Sequence, residues 1–271
     1  MKSILVHINR DDGQEARLQA ALDIVRAFEG HLSCLQTTPI EAFASIEPYG
    51  VDFQLAETIA RMREMDREER EAMEVRLRGE GISWDWAAEM GDARRLVGEH
   101  SWLADLVVVS QPAQDWLPPT PPSPVAADVV LHSRAPVLTV PDDCRGIDCG
   151  GPVAIAWNGS PEACAAIRAA LPLLERASTV HLIAVTGEDG LDLPSTDASA
   201  YLARHGVESE LVELERRDAP IAELLLAAAT VRKASCLVTG AYGHSRLREN
   251  ILGGVTRDLL RKAKLPLLLA H

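Results

Sequence analysis

The sequence contains no apolar run approaching the roughly 20 residues that a membrane-spanning helix requires. Its five cysteines, Cys34, Cys144, Cys149, Cys164 and Cys236, are odd in number and form no C-x-x-C. A disulfide framework or a zinc site is therefore not expected. Positive charge is in short supply: 27 Lys and Arg stand against 40 Asp and Glu, a formal net charge of −13. That balance argues against a nucleic-acid or anionic-membrane surface, which needs clustered bases. A small anion remains admissible where backbone N–H groups or a helix N-terminus supply local positive potential. The opening "MKSILVHINRDDGQ" lacks a long apolar segment and a small-residue cleavage site, so it reads as a strand, and a cytoplasmic location is the expectation. Neither a G-x-x-x-x-G-K-[ST] loop nor a G-x-G-x-x-G fingerprint occurs. No Ser–His–Asp arrangement, metal-ligand cluster or catalytic carboxylate pair is identifiable.

What is present is a globular composition, 47% hydrophobic and 25% charged over 271 residues, and an internal repeat. "ADLVVVSQPAQ" at 104–114 matches "ASCLVTGAYGH" at 234–244, and "SRAPVLTV" at 133–140 matches "AKLPLLLA" at 263–270, both at a spacing of 130 residues. "ILVHINRDDGQEARLQAAL" at 4–22 resembles "VAIAWNGSPEACAAIRAAL" at 153–171 at a spacing of 149, so the first half carries extra residues after its first helix.

Each half has the same order. A short β-rich run (4–8; 153–157) precedes a helical pattern (14–28; 161–177). Further strands follow at 31–37 and 179–186, 83–89 and 208–214, 106–110 and 236–240, and 137–140 and 267–270. Strands alternating with helices of this length indicate βαβ units in a parallel sheet. The fold class expected is α/β: two tandem doubly wound parallel-sheet domains of about five strands each, over 1–143 and 150–271. "PDDCRGIDCGGP" at 141–152, rich in Gly, Asp and Pro, marks the boundary. The extra residues form a long helical pattern at 51–81 with a partial apolar stripe of Leu55, Ile59, Met62, Met65, Met73 and Leu77. A lid or flanking helix with a solvated charged face is expected over 55–78, and a partner-binding helix is the alternative.

"GAYGHSRLRENILGGVT" at 240–256 concentrates four glycines beyond a buried strand. Ligands of open parallel sheets bind past the C-terminal ends of strands. Gly240 and Gly243 allow a sharp turn and close approach to the backbone. Gly253, Gly254, Val255 and Thr256 open a helix whose first N–H groups lack partners and suit phosphate oxygens. Plain turn chemistry is the alternative. Asn158-Gly159-Ser160-Pro161 reads as a turn with Ser160 as N-cap and Pro161 at the first helical position. Trp157 is either core or a stacking surface, and Trp84 and Trp86 share one packed face. His244 reads as a solvated loop residue, while Arg246, Arg248 and Arg257 are candidates for a phosphate bond.

Gly240-x2-Gly243-x9-Gly253, followed by Gly254-Val255-Thr256, resembles the G-x2-G-x9-G-[S/T] nucleotide loop of the universal stress protein family. "IAWNGSPEA" resembles that family's β1–α1 turn, and the resemblance spans both halves. It implies a tandem member of the family, with an adenine-nucleotide alpha-hydrolase-like fold and halves paired through their final strands. Whether two such chains form a further homodimer stays open. The resemblance implies a site for ATP, or AMP or ADP, with or without Mg²⁺, in the second half. Thr239, Gly240, Gly243, Gly253, Gly254, Val255 and Thr256 match the ribose and phosphate segment. Ala156, Trp157 and Asn158 match the β1 end, and Val185 the β2 wall of the adenine pocket. Asn158 stands where the family usually has an acid, and Gly254 where it has Ser or Thr.

In the first half the four glycine positions become Ser110, Ala113, Ser123 and Pro124, with "DWLPPTPPS" between. Proline offers no N–H to a phosphate, so this half is expected not to bind nucleotide in the usual way. The proline-rich 117–124 reads as a rigid plug or, alternatively, a polyproline ligand. Because the first half manages without these glycines, the fold alone is expected not to require them. The function implied is an adenine-nucleotide-binding stress-response or regulatory protein. A weak ATPase or self-phosphorylating enzyme and a nucleotide-free interaction scaffold are the alternatives.

Overall fold

The computed structural model describes residues 1–39, 52–112, 125–186, 193–216, 219–241 and 254–271, without the side chains of 52–56 and of Thr186. The first half contains β1 (Ser3–Ile8), α1 (Gln14–Phe28), β2 (His31–Thr38), α2 (Asp52–Gly79), β3 (Ser83–Met90), α3 (Ala93–His100), β4 (Leu106–Ser110), α4 (Val125–His132) and β5 (Val137–Val140). The second repeats the order with β6 (Val153–Trp157), α5 (Pro161–Leu174), β7 (Val180–Thr186), α6 (Ser195–Arg204), β8 (Ser209–Glu215), α7 (Ile221–Val231), β9 (Cys236–Gly240), α8 (Gly254–Lys262) and β10 (Leu267–Ala270).

The two five-stranded units share one ten-stranded sheet in the order β3-β2-β1-β4-β5-β10-β9-β6-β7-β8. Every pairing within a half is parallel. The halves meet through β5 and β10, antiparallel, with Leu268 opposite Leu138 and Leu267 opposite Thr139. The last strands therefore join the two repeats within the chain.

Strand alternation sorts side chains onto two faces. Ile4, Val6 and Ile8 join α1, and Val153, Ile155 and Trp157 join α5 and α6, in one core layer. Leu5, Ala154 and Ala156 turn to the other face, which is covered by α3, α4, α7 and α8. Burial on both faces explains the unbroken apolar run Leu106–Val109.

Two elements differ from the sequence pattern. Helix α5 ends at Leu174 rather than Ala177, because Arg176 and Ala177 donate to the carbonyls three residues back and tighten the last turn. Helix α6 occupies the stretch between the strands expected at 179–186 and 208–214, held by buried Ala198 and Leu202. Helix α2 flanks the sheet. Leu77 is fully buried and Met73 packs on the core, whereas Arg67, Arg70 and Arg78 pair with Glu64, Glu71 and Glu74 on the solvated side.

The connection between the halves is docked against α1. Ile147 is buried, and its N–H donates to Asp23 Oδ2 at 3.0 Å. Among the described residues no helix is long and apolar enough to cross a membrane.

Candidate functional site

A cavity of about 340 Å³ opens at the C-terminal ends of β6, β7 and β9, on the face covered by α7 and α8. The turn after β6 shapes one wall. Gly159 takes φ +78, a left-handed conformation that glycine adopts without strain. Asn158 Oδ1 accepts from the Ser160 N–H at 3.2 Å, and Ser160 Oγ accepts from the Ala163 N–H at 3.2 Å. Ser160 is thus the N-cap of α5, with Pro161 behind it, as the sequence predicts. The start of α8 forms the opposite wall, where Gly254, Val255 and Thr256 border the cavity.

Ala156, Trp157, Asn158, Val185, Thr239, Gly240, Gly254, Val255 and Thr256 all line this one cavity. Gly243 and Gly253 lie outside the described residues, as do His244, Arg246, Arg248 and the proline-rich 117–124. Arg257 is described, but it is not among the lining residues, and its Nε donates to Asp258 Oδ1 at 3.4 Å.

Sequence reasoning missed Ile221, Leu225 and Glu162. The first two are four residues apart on α7 and supply apolar wall. Their spacing was readable, but the cavity they face was not. Glu162 is in the first turn of α5, where an acid complements the helix dipole. Its Oε2 is buried without a hydrogen-bond partner among the described residues while the residue borders the cavity. Such an oxygen suits a hydroxyl donor or a cation. Among the described residues no group of three His, Cys, Asp or Glu gathers that could hold a metal by itself.

The expectation that the fold needs none of the loop glycines fails at Gly240. A Cβ there would stand 2.6 Å from the Ala163 N and 2.7 Å from the Glu162 carbonyl carbon, because the start of α5 closes onto the end of β9. The first half meets the same approach with the glycine on the other side. Ser110 ends β4, and Gly13 takes the position equivalent to Glu162, where a Cβ would lie 2.4 Å from Ser110 Oγ. The repeat comparison missed this because the compensating residue lies in a different segment. Gly254, by contrast, has open space at its Cβ position.

The matching strand ends of the first half carry different side chains, beside a smaller cavity of about 200 Å³ lined by Asn9, Thr37 and Asp66. His7 and Thr37 stand where the second half has Ala156 and Val185, and His7 Nε2 and Thr37 Oγ1 share a buried hydrogen bond of 2.8 Å. Burial, reinforced by the Arg17 charge, pushes His7 down to about 3. Arg17 is itself buried and donates to the carbonyls of His7 and Asn9, to Ser110 Oγ and to Asp11.

A parallel sheet with helices on both faces defines an α/β protein, and its cavity lies past the strand ends, where open parallel sheets bind their ligands. Residues 151–271, the second half of the chain, match the model of the universal stress protein family. Over its whole length the fold is similar to a universal stress protein from Archaeoglobus fulgidus, with a TM-score of 0.78 at 16% identity, covering 99% of this chain and 96% of the other. It is also similar to a functionally unknown protein from Pseudomonas aeruginosa PAO1, with a TM-score of 0.62 at 17% identity, covering 99% and 92%. At these identities the likeness is one of fold, and it extends the tandem arrangement across both halves. No curated protein matches the chain.

Proposed function

We propose that this chain is an adenine-nucleotide-binding protein of the stress response, with its site in the second half. The observation that carries the reading is the cavity at the ends of β6, β7 and β9. Val185, Ile221 and Leu225 offer an apolar wall to a base, Trp157 an aromatic edge, and the α8 N-terminus unpaired N–H groups to phosphate. The helix dipole supplies local positive potential in a chain of net charge −13. ATP is the first ligand to test, with AMP and ADP beside it.

Gly243 and Gly253 complete the glycine spacing that resembles the family's nucleotide loop. Asn158 carries no charge, so the cavity's acid is Glu162, four residues later. A divalent cation would arrive on the nucleotide's own phosphates and find that carboxylate beside it.

Calorimetric titration with ATP, AMP and ADP, with and without Mg²⁺, tests the proposal. Saturable binding is expected, and its absence at millimolar nucleotide would overturn the reading. Mass spectrometry of small molecules released from freshly purified protein identifies the native occupant.

A further inference from the structure

A second cavity, of about 230 Å³, lies between α5 and α6 on the opposite face of the sheet from the first. Cys164, Ile167 and Arg168 reach it from one stripe of α5, at positions i, i+3 and i+4. Asp197, Ala198, Tyr201 and Arg204 reach it from one stripe of α6. Trp157 closes the end of the cavity, its indole N–H fixed to the Leu193 carbonyl at 3.2 Å.

The chemistry of the walls is divided. Trp157, Ile167, Ala198 and Tyr201 make an apolar interior with two aromatic rings, one of them braced against His205 at 4.7 Å between centroids. Arg168 and Arg204 are exposed at the border, and neither makes a hydrogen bond or ion pair with a described residue. Asp197 is the acid at the same border, so the charged residues there sum to one positive charge. Bound ligands are oriented by a few polar groups at the edge of an apolar pocket, and an arginine fork matches a carboxylate in plane. The volume falls below the range of pockets for drug-sized ligands.

We infer that the α5–α6 cavity is a binding site for a small aromatic monocarboxylate, its ring against Trp157 and Tyr201 and its carboxylate between Arg168 and Arg204. The site shares Trp157 with the nucleotide site proposed above, but its other walls are its own and its occupation does not require nucleotide. A dianion is disfavoured by Asp197, and an aliphatic chain leaves the two rings unmatched.

Benzoate is the probe, and benzamide, the same ring without the charge, is the control, both titrated calorimetrically into the full chain without nucleotide. Benzoate is expected to saturate with at least ~10-fold higher affinity than benzamide, the ratio that about 1.4 kcal/mol of charge-assisted bonding supplies. The Arg168→Gln/Arg204→Gln double variant changes only exposed side chains, so the fold is retained. It is expected to bring benzoate down to the affinity of benzamide. Benzoate should also slow alkylation of Cys164 by N-ethylmaleimide, followed on its peptide by mass spectrometry. Equal affinity for the two probes, no saturation by benzoate, or a double variant that binds as the wild type would each overturn the assignment.

Discussion

His7 and Ala156 occupy matching places on β1 and β6, and only Ala156 lines a cavity wall. In the first half the imidazole is buried, bonded to Thr37 and held neutral, with its pKa down at about 3 against an ordinary 6.5. The unfolded chain takes up that proton near 6.5 while the folded chain does not, so stability is full above that pH and falls as the pH drops toward 3. The slope from this group is at most about 1.4 kcal/mol per pH unit. Urea unfolding at several pH values should show that slope in the wild type and a flatter profile in His7→Leu. At Glu162 the charge itself is open to test. Glu162→Gln should raise the affinity for metal-free ATP several-fold, because a like charge near the phosphates at moderate effective dielectric is worth about 1 kcal/mol or more. With Mg²⁺ present that gain should disappear, and calorimetry in EDTA and in Mg²⁺ separates the two cases. An acid in the first turn of a helix reads from sequence as a dipole partner, so the orphaned oxygen of Glu162 was invisible until the cavity was built around it.

The elements were readable wherever period and punctuation agree. Strands β1, β4, β6 and β9 are short apolar runs bounded by turn residues, and Ser160-Pro161 marks the start of α5. Helix α6 was not readable, because only Ala198 and Leu202 anchor its middle and no strong apolar stripe marks it. The facing surfaces of elements were also hidden. Gly240 against the start of α5 and Ser110 against Gly13 are one contact met with opposite partners. Gly240→Ser should destabilise the second half by about 1–3 kcal/mol through overpacking. Glu162→Gly in the same chain should recover part of that loss, as read by thermal unfolding. The cavity wall can be converted in a similar way. Ala156→His with Val185→Thr rebuilds the first half's hydrogen-bonded His–Thr pair on β6 and β7, and should abolish nucleotide binding while the circular dichroism spectrum stays unchanged.

On the scale of the molecule, ten strands form one sheet, and the seam between the halves is the antiparallel β5–β10 pair. Thr139 sits in that seam, fully buried, with a hydroxyl that has no hydrogen-bond partner among the described residues. Thr139→Val keeps the shape and removes the unsatisfied group, so unfolding should shift upward by about 1 kcal/mol. The repeat in the sequence revealed two similar units, but not that the seam would bury a polar side chain beside its central Leu268–Leu138 pair. The connection at 141–152, docked on α1 through Ile147, has a further effect. Two separate subunits meeting edge to edge obey mass action and come apart on dilution. Here a short tether holds the second edge at an effective concentration on the order of millimolar. The partnership is therefore the same whether the cell holds many copies of the chain or few. It always joins one unlike half to the other, which leaves the first half free to bury His7 against Thr37 where the second keeps Ala156 at a cavity wall.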